Sequence, residues 1–274
     1  MPLTAVAIAL GAAVVHAFWN LVVARARDTQ AVTALAIAIG VIAALPFAIL
    51  RWHVETEAWP FILASSMLEL VYFWLLTSAY GRAEMSLVYP IARGTAPVIV
   101  LIVSVAVLGV ATSSAQAAGV ALVGLGVILV RGLRGGAKWS DVALALAVAA
   151  SIAGYTLVDK EGIRYADPVT YVFLILIAPA IASVAFVASR GGVPRLRAAL
   201  QPVTVASGIA TVGAYALVLV ALTMAPAASV AAVREVSVVI AVAQGALLLH
   251  ERVGPARVAG AVVVVLGVAL IVAG

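Results

Sequence analysis

Long apolar segments, separated by short breaks of polar, glycine or proline residues, make up almost the whole chain. A helix needs roughly 20 apolar residues to cross the hydrocarbon core of a bilayer, and the segments have about that length. The breaks are too short to form a soluble domain, so any chemistry must lie among the helices. The pattern predicts ten membrane-spanning helices, at about residues 3–24, 30–50, 58–80, 86–109, 113–131, 139–159, 168–188, 203–224, 227–249 and 255–273.

The predicted helices form two similar sets of five. A shift of 141 residues aligns Leu125-Gly-Val with Leu266-Gly-Val, and the same shift aligns Arg93 with Arg234. Helices rich in alanine, valine and glycine also align by chance, but two aligned arginines inside apolar segments argue for a repeat. Because five is odd, the second set must cross the membrane in the opposite sense, as in the inverted repeats of many secondary transporters. The sequence predicts a first repeat at 1–131, a basic connecting loop at 132–138 and a second repeat at 139–274.

The composition agrees with an all-α polytopic membrane protein. Hydrophobic residues make up 66% of the chain and charged residues 10%, which is too apolar for one soluble core. The absence of cysteine excludes disulfides, thiolate metal sites and cysteine nucleophiles. The net charge of +5 does not indicate nucleic-acid binding, because the basic residues are scattered through short connections between apolar segments.

The basic residues of the connections predict an orientation. When they are assigned to alternating sides of the membrane, eleven fall on one side, and Arg51, Lys160 and Arg164 fall on the other. The side richer in lysine and arginine is expected to be cytoplasmic. Both termini are therefore predicted outside, and the loop between the fifth and sixth helices inside.

Arg93 lies about two turns inside the fourth predicted helix. A guanidinium at that depth costs about 2.5 kcal/mol or more unless it is paired or hydrated. We therefore expect Arg93 to face a polar cavity between helices. Pro90 and Pro97 are expected to bend the helix around it, and Gly94 to let another group approach its backbone.

Other helices carry polar residues that are costly against lipid. His16, Trp19 and Asn20 share one face of the first helix, and Glu69 and Tyr72 share one face of the third, with Trp74 nearby. An intramembrane carboxylate such as Glu69 is a functional candidate by default. In the sixth helix Ser151, Tyr155 and Asp159 follow at intervals of four residues, and Asp159 and Lys160 are expected at a solvated membrane edge.

Four charged residues are predicted inside the membrane, and their charges cancel: Arg93 and Arg234 against Glu69 and Glu235. Such a set suits either a closed salt-bridge network or a site that offers guanidinium to an acidic group and carboxylate to an amine. The predicted substrate-binding residues are Arg93, Glu235, Glu69, Tyr72, Trp19, Asn20, His16, Tyr89, Tyr155, Trp74 and Arg234.

The chain contains no signature of an enzyme. Its three histidines, His16, His53 and His250, lie on different segments without metal-ligand spacing, and there is no glycine-rich phosphate loop or nucleophile motif. The sequence predicts no catalytic activity, metal site, cofactor or ATP coupling.

Three motifs carry a family resemblance: His16-Ala-Phe-Trp-Asn20, Tyr89-Pro-Ile-Ala-Arg-Gly-Thr-Ala-Pro97, and His250-Glu-Arg252 followed by Gly260 and Leu266-Gly267. With the ten-helix plan, they resemble the EamA-like proteins of the drug/metabolite transporter superfamily. The segment around Arg93 is most similar to a subgroup associated with phosphonate use. The resemblance implies export of amino acids and related metabolites, driven by proton exchange or gradients. It also implies cytoplasmic termini, opposite to the orientation that the loop charges predict.

We therefore expect a secondary transporter, an exporter of a small polar or zwitterionic metabolite such as an amino acid or aminophosphonate, acting by alternating access. It would lie in the lipid bilayer of the bacterial inner membrane as a monomer or homodimer, either facilitative or proton-coupled with Glu69 as proton carrier. One alternative is export of lipophilic cations or lipid-linked sugars, with both arginines neutralised in an aromatic cavity. Another is a membrane scaffold that transports nothing.

Overall fold

The computed structural model describes residues 1–80, 85–131, 138–248 and 254–274, and these residues are almost entirely helical. The all-helical membrane fold is confirmed, and the ninth predicted helix is divided in two at Glu235. The helices of the described residues are α1 (Leu3–Ala24), α2 (Thr29–Leu50), α3 (Ala58–Tyr80), α4 (Met85–Ala106), α5 (Ser114–Arg131), α6 (Trp139–Gly162), α7 (Pro168–Ala199), α8 (Pro202–Met224), α9 (Ala227–Arg234), α10 (Val236–Leu248) and α11 (Pro255–Ala273).

The helices have the length and apolar surface of membrane spans. Within the described residues, α1, α2, α3, α6, α7 and α8 are long and apolar enough to cross a bilayer, and α4, α5 and α11 contain shorter apolar stretches. Large apolar side chains such as Ile42, Leu63 and Val262 are exposed on the outside of the bundle. In a bilayer these side chains face acyl chains instead of water, so their exposure carries no hydrophobic penalty.

Capping residues and prolines set several helix ends. The Asp28 carboxylate accepts a hydrogen bond from the backbone N–H of Ala31 and begins α2, and Asp167 caps α7 in the same way. Pro168 and Pro202 occupy first-turn positions, where the missing N–H is not needed. The seventh helix continues past its predicted end, with a break at Gly192, whose φ of 74° suits glycine.

Each repeat packs mainly against the other instead of forming a separate body. Helix α1 packs on α8 of the second repeat, and α6, the counterpart of α1, packs on α3. Helices α2 and α7 pack together, as do α5 and α11, so each of these pairs joins two counterparts. This is the packing expected of two interlocked copies related by a pseudo-two-fold axis. The predicted connecting loop, 132–138, lies outside the described residues apart from Lys138.

Glycines allow the closest helix contacts. A Cβ atom added to Gly119 of α5 would lie 2.6 Å from the Gly267 carbonyl oxygen of α11, and one added to Gly126 would lie 2.7 Å from the Val264 nitrogen. A Cβ atom added to Gly94 of α4 would lie 2.8 Å from the Gly124 carbonyl oxygen of α5. This confirms that Gly94 lets another backbone approach. These contacts are the small-residue packing typical of membrane helices.

The bundle has two ends, which we name the terminal face and the opposite face. The terminal face carries both termini and the connections 51–57 and 163–167, and the opposite face carries the connections 25–28 and 200–201 and the end of α7. On the terminal face, the Glu55 N–H donates to the Tyr165 carbonyl at 2.8 Å, and the Asp167 N–H donates to the His53 carbonyl at 2.9 Å. These two bonds tie the repeats together at that face.

On the opposite face, a bidentate ion pair joins the start of α2 to the end of α7. Arg195 donates from Nε to Asp28 Oδ2 at 2.8 Å and from Nη2 to Oδ1 at 3.0 Å. These bonds from the Arg195 guanidinium lower the pKa of the Asp28 carboxyl from its ordinary value.

Candidate functional site

A cavity of about 100 Å³ lies between the two repeats near the middle of the bundle. The predicted residues that line it are His16, Trp19, Glu69, Tyr72, Arg93, Tyr155 and Arg234. Further lining residues, which the sequence did not single out for the site, include Thr33, Phe73, Leu176, Thr211 and Tyr215. Both repeats contribute to the wall, so movement of one repeat against the other would change the shape of the cavity.

One wall of the cavity is positively charged. Arg93 Nε lies 3.4 Å from Glu235 Oε2, and Arg234 Nε lies 4.0 Å from Glu235 Oε1. Glu235 is 1% exposed and sits at the junction of α9 and α10, behind the two guanidinium groups and outside the lining of the cavity. One carboxylate between two guanidinium groups leaves an excess of one positive charge at this wall.

His16 extends the contacts of Arg93. Arg93 Nη2 lies 2.6 Å from His16 Nε2, and Trp19 Nε1 lies 3.1 Å from His16 Nδ1. Guanidinium and indole N–H groups only donate, and a neutral imidazole accepts at one nitrogen only. Because the charged donor forms the stronger bond, Nε2 accepts from Arg93, and the Trp19 ring meets His16 as an edge contact with centroids 5.1 Å apart. Asn20 instead donates to the His16 backbone carbonyl at 2.9 Å.

Aromatic rings form a second part of the wall. Tyr155 contacts Tyr72 on one side and Tyr215 on the other, each in an edge-to-face arrangement with ring centroids 6.0 Å apart. Trp74 is 68% exposed on the outside of the bundle and is not among the described lining residues. It follows Tyr72 by two positions, which turns it about 200° around the helix, toward lipid. The side chain of predicted Tyr89 lies outside the described residues.

Glu69 is the carboxyl side chain among the described residues that line the cavity. Its carboxyl lies beside the Tyr215 hydroxyl, which donates to Asp159 Oδ2. Asp159 is fully buried, so the prediction that it lies at a solvated edge is wrong. Helix α6 continues to Gly162, and the Lys160 ammonium covers this end by donating to two carbonyl oxygens at the α8–α9 junction.

Sequence reasoning missed Tyr215, although a signal for it exists. Thr204, Ser207, Thr211 and Tyr215 follow one another in α8 at intervals of three, four and four residues. That spacing puts the four polar side chains on one helical face, which the structure turns inward. No group of three or more histidine, aspartate or glutamate side chains suited to a metal ion occurs in the described part of the chain.

Comparison with known proteins identifies the family. The EamA-like transporter family matches residues 3–132 and again residues 139–273. The chain belongs to the EamA-like transporter family. Proteins of this family are membrane transporters, so the protein is an integral membrane protein with a small-molecule substrate and contact with the lipid bilayer.

One solved crystal structure covers 98% of this EamA-like chain and 98% of its own, with a TM-score of 0.70 and 17% identity. At that identity the likeness concerns the fold alone. The search of curated proteins gave no match.

Proposed function

We propose that this EamA-like protein is a secondary transporter that exports a small zwitterionic metabolite, such as an amino acid or aminophosphonate, across the bacterial inner membrane. The observation that carries the proposal is a cavity with guanidinium groups on one wall and the Glu69 carboxyl on another. Both repeats line this cavity, and alternating access between inverted repeats operates on a site of that kind.

The positive wall suits the acidic group of such a substrate. Glu235 balances only one of the charges of Arg93 and Arg234, so a carboxylate or phosphonate would restore neutrality. Guanidinium groups bind both anions through two parallel hydrogen bonds, which strengthens the contact and fixes the geometry. The size of the charge excess supports an anionic group at this wall and disfavours a cation.

The Glu69 wall suits the amine of the same substrate. Glu69 accepts hydrogen bonds from an ammonium group when it is ionised, and the neighbouring rings of Tyr72 and Tyr155 favour a cation near their faces. An amino acid or aminophosphonate carries both groups on a short skeleton, which matches a small cavity with charges on separate walls.

The shape of the cavity supports a conformational cycle and a direction. Lining residues reach Thr33, about one turn inside the opposite face, whereas the described lining residue nearest to the terminal face is Val218, six residues before the end of α8. The volume of about 100 Å³ is below the roughly 300 Å³ of typical ligand sites, so binding requires opening. The loop charges predict that the opposite face is cytoplasmic, which favours uptake of substrate from the cytoplasm and hence export.

Export of lipophilic cations has less support. It requires Arg93 and Arg234 to be neutralised by Glu69 and Glu235 in an aromatic cavity. Both arginines instead lie within 4.0 Å of the same carboxylate, that of Glu235, and Trp74 faces outward. A non-transporting scaffold has no need for a polar cavity shared between the repeats.

A ligand screen by thermal stabilisation in detergent tests the proposal. Probes are L-amino acids, 2-aminoethylphosphonate and tetraphenylphosphonium, and a ligand at 100 times its Kd adds about 2.7 kcal/mol to apparent stability. We expect the zwitterions to raise the Tm of the wild type and to leave that of Arg93→Lys unchanged. Stabilisation by tetraphenylphosphonium alone would favour the cation exporter, and no stabilisation by any probe would favour the scaffold.

A further inference from the structure

We propose that Glu69 and Asp159, joined through the hydroxyl of Tyr215, share one exchangeable proton and carry the coupling proton between the cavity and the terminal face. This inference deepens the proposed transport function and rests on it. Asp159 is the second carboxyl group, and Tyr215 is the relay residue. The proton route leaves the cavity toward the terminal face, whereas substrate enters from the opposite face in this conformation.

Tyr215 is the link between the two carboxyl groups. It lines the cavity together with Glu69, whereas Asp159 lies behind it and is not among the described lining residues. Its hydroxyl donates to Asp159 Oδ2 and lies beside the Glu69 carboxyl. A hydroxyl that both accepts and donates is the group needed to pass a proton between two acids.

Unpartnered polar atoms surround Asp159. The hydroxyl groups of Ser65 and Tyr171 lie beside its carboxyl group, and all three residues are fully buried. Ser65 Oγ, Tyr171 OH and Asp159 Oδ1 have no well-formed hydrogen bond within the described part of the chain. A buried polar atom without a well-formed hydrogen bond is costly, so three at one place leave a need for a proton among them. A proton on the Asp159 carboxyl group lets this group donate as well as accept, and the Ser65 and Tyr171 hydroxyl groups can do the same.

The charge balance of the centre also calls for one proton. Among the described residues, the buried charged side chains are those of Arg93 and Arg234 and three carboxyl groups, those of Glu235, Glu69 and Asp159. One bound proton makes the five groups neutral, whereas two ionised carboxylates at one hydroxyl would repel each other.

Polar and charged groups surround the pair on several helices. They are Ser65 and Tyr72 on α3, Tyr155 on α6, Tyr171 on α7, Tyr215 on α8 and the guanidinium groups of Arg93 and Arg234 on α4 and α9. The tyrosine hydroxyls are neutral. The Lys160 ammonium, one residue after Asp159, is half-buried and donates to the backbone carbonyls of Leu222 and Ala225. Lys160 therefore does not pair with either carboxyl group.

The relay step balances in protons and electrons. The Glu69 O–H bond breaks as its proton passes to the Tyr215 oxygen, and the original Tyr215 O–H bond breaks as that proton passes to the Asp159 carboxylate. Tyr215 is unchanged, Glu69 becomes ionised and Asp159 becomes neutral. Asp159 lies three residues before the end of α6, about 4.5 Å along the axis, so the proton moves toward the terminal face.

Infrared spectroscopy tests the shared proton without any substrate. In wild-type protein at neutral pH we expect a carboxylic-acid C=O band that shifts in D₂O. The band should be lost in Glu69→Gln and in Asp159→Asn. It should remain in the control Asp141→Asn, which removes a carboxyl group at the other end of α6. No such band in the wild type, or a band that survives in both carboxyl variants, would overturn the proposal. Loss of the band when sodium replaces choline would also overturn it, because the site would then bind a cation.

Flux in proteoliposomes tests the coupling role. With labelled alanine and 2-aminoethylphosphonate as probes, we expect Asp159→Asn to lose accumulation driven by a pH gradient and to retain counterflow without a gradient. Gradient-driven accumulation that survives in Asp159→Asn would overturn the relay. No flux of either probe in the wild type would overturn the proposed function and the coupling role with it, while the infrared band still decides whether the pair holds a proton.

Discussion

Arg93 is a charged residue inside an apolar segment of the sequence, and in the structure it lines the cavity. A charge at this depth is costly in lipid, and the structure meets the cost with Glu235 at 3.4 Å, His16 at 2.6 Å and a cavity on the remaining side. Arg234 shares the same carboxylate, so the two equivalent positions of the repeats meet at one point. The chemistry of the site therefore depends on a charge excess more than on any single ion pair.

Replacing Arg93 by lysine should abolish transport and leave the protein folded. Lysine keeps the charge and can pair with Glu235, but it loses the planar fork that holds a carboxylate or phosphonate through two hydrogen bonds. A charged hydrogen bond contributes up to about 3 kcal/mol, so flux should fall by roughly 100-fold. Monodispersity in detergent reports folding, flux in liposomes reports function, and Arg164→Lys, at an exposed position, is the control. Normal flux from a protein that aggregates would make Arg93 a structural charge.

Charged residues were easier to predict than uncharged ones. Arg93, Arg234 and Glu69 stand out in apolar segments, since lipid exposure would cost too much. Tyr215 did not stand out, because a single tyrosine is unremarkable in a membrane helix. The solvated edge predicted for Asp159 is wrong, because a position near a helix end does not show what covers that end. Trp74 was predicted at the site because it lies near Tyr72 in the sequence. In the structure Tyr72 lines the cavity and Trp74 faces outward.

The packing of α5 against α11 is the element-scale feature that the sequence anticipated best. Glycines at equivalent positions of the two repeats, Gly119, Gly126, Gly260 and Gly267, bring the two backbones into contact. The small-residue spacing predicted a packing face. Which helix would pack there could not be read from the spacing, because every helix of the bundle offers small residues.

Replacing Gly126 by leucine should damage the fold. A Cβ atom at this position would lie 2.7 Å from the Val264 nitrogen and 2.8 Å from the Gly260 carbonyl oxygen, so the helices must separate. Overpacking costs about 1–3 kcal/mol in tolerant cores, and contact with two backbone atoms of α11 puts this change at the upper end or beyond. Gly213→Leu, with no neighbour within 4 Å, is the control. Comparable expression and Tm for the two variants would contradict the packing described.

The Asp28–Arg195 pair should stabilise the opposite face in a pH-dependent way. Asp28→Ala removes a helix cap worth about 1 kcal/mol and an ion pair worth up to about 1 kcal/mol. Asp28→Asn keeps the cap and removes only the charge. Because Arg195 lowers the pKa of Asp28 in the folded state, the contribution of the charge is complete above the unfolded pKa of about 3.9 and is lost as the pH falls through the folded pKa.

Thermal unfolding in detergent from acidic to neutral pH measures that contribution. Wild type should exceed Asp28→Asn in Tm at neutral pH, and the two curves should converge in acid. A difference that grows on acidification would contradict the role given to the pair.

At the scale of the whole molecule, two interlocked repeats create one shared site. The apolar pattern predicted nearly all the helices and their approximate ends, because bilayer thickness fixes the length of a span. The division at Glu235 was not predicted, because the residues before it and the residues after it both have a sequence that predicts helix. The interlocking of the repeats, with α1 on α8 and α6 on α3, depends on long-range packing that helix patterns do not encode.

The loop charges predict that the terminal face is outside the cell. Alkaline phosphatase fused after Gly274 should be active, and a green fluorescent protein fused there should not fluoresce. The resemblance to known family members implies the opposite arrangement. A fusion that fluoresces at Gly274 would overturn the orientation and, with it, the argument that the cavity faces the cytoplasm in this conformation.

Counterflow in proteoliposomes tests most directly whether the central cavity carries a small zwitterion. Liposomes loaded with an unlabelled mixture of amino acids and 2-aminoethylphosphonate are diluted into trace amounts of each labelled compound. Wild-type protein should accumulate at least one zwitterion well above empty liposomes, and Arg93→Lys at equal reconstitution should not. Accumulation of none of these compounds by the wild type, or equal accumulation by both proteins, would contradict a zwitterion site at Arg93.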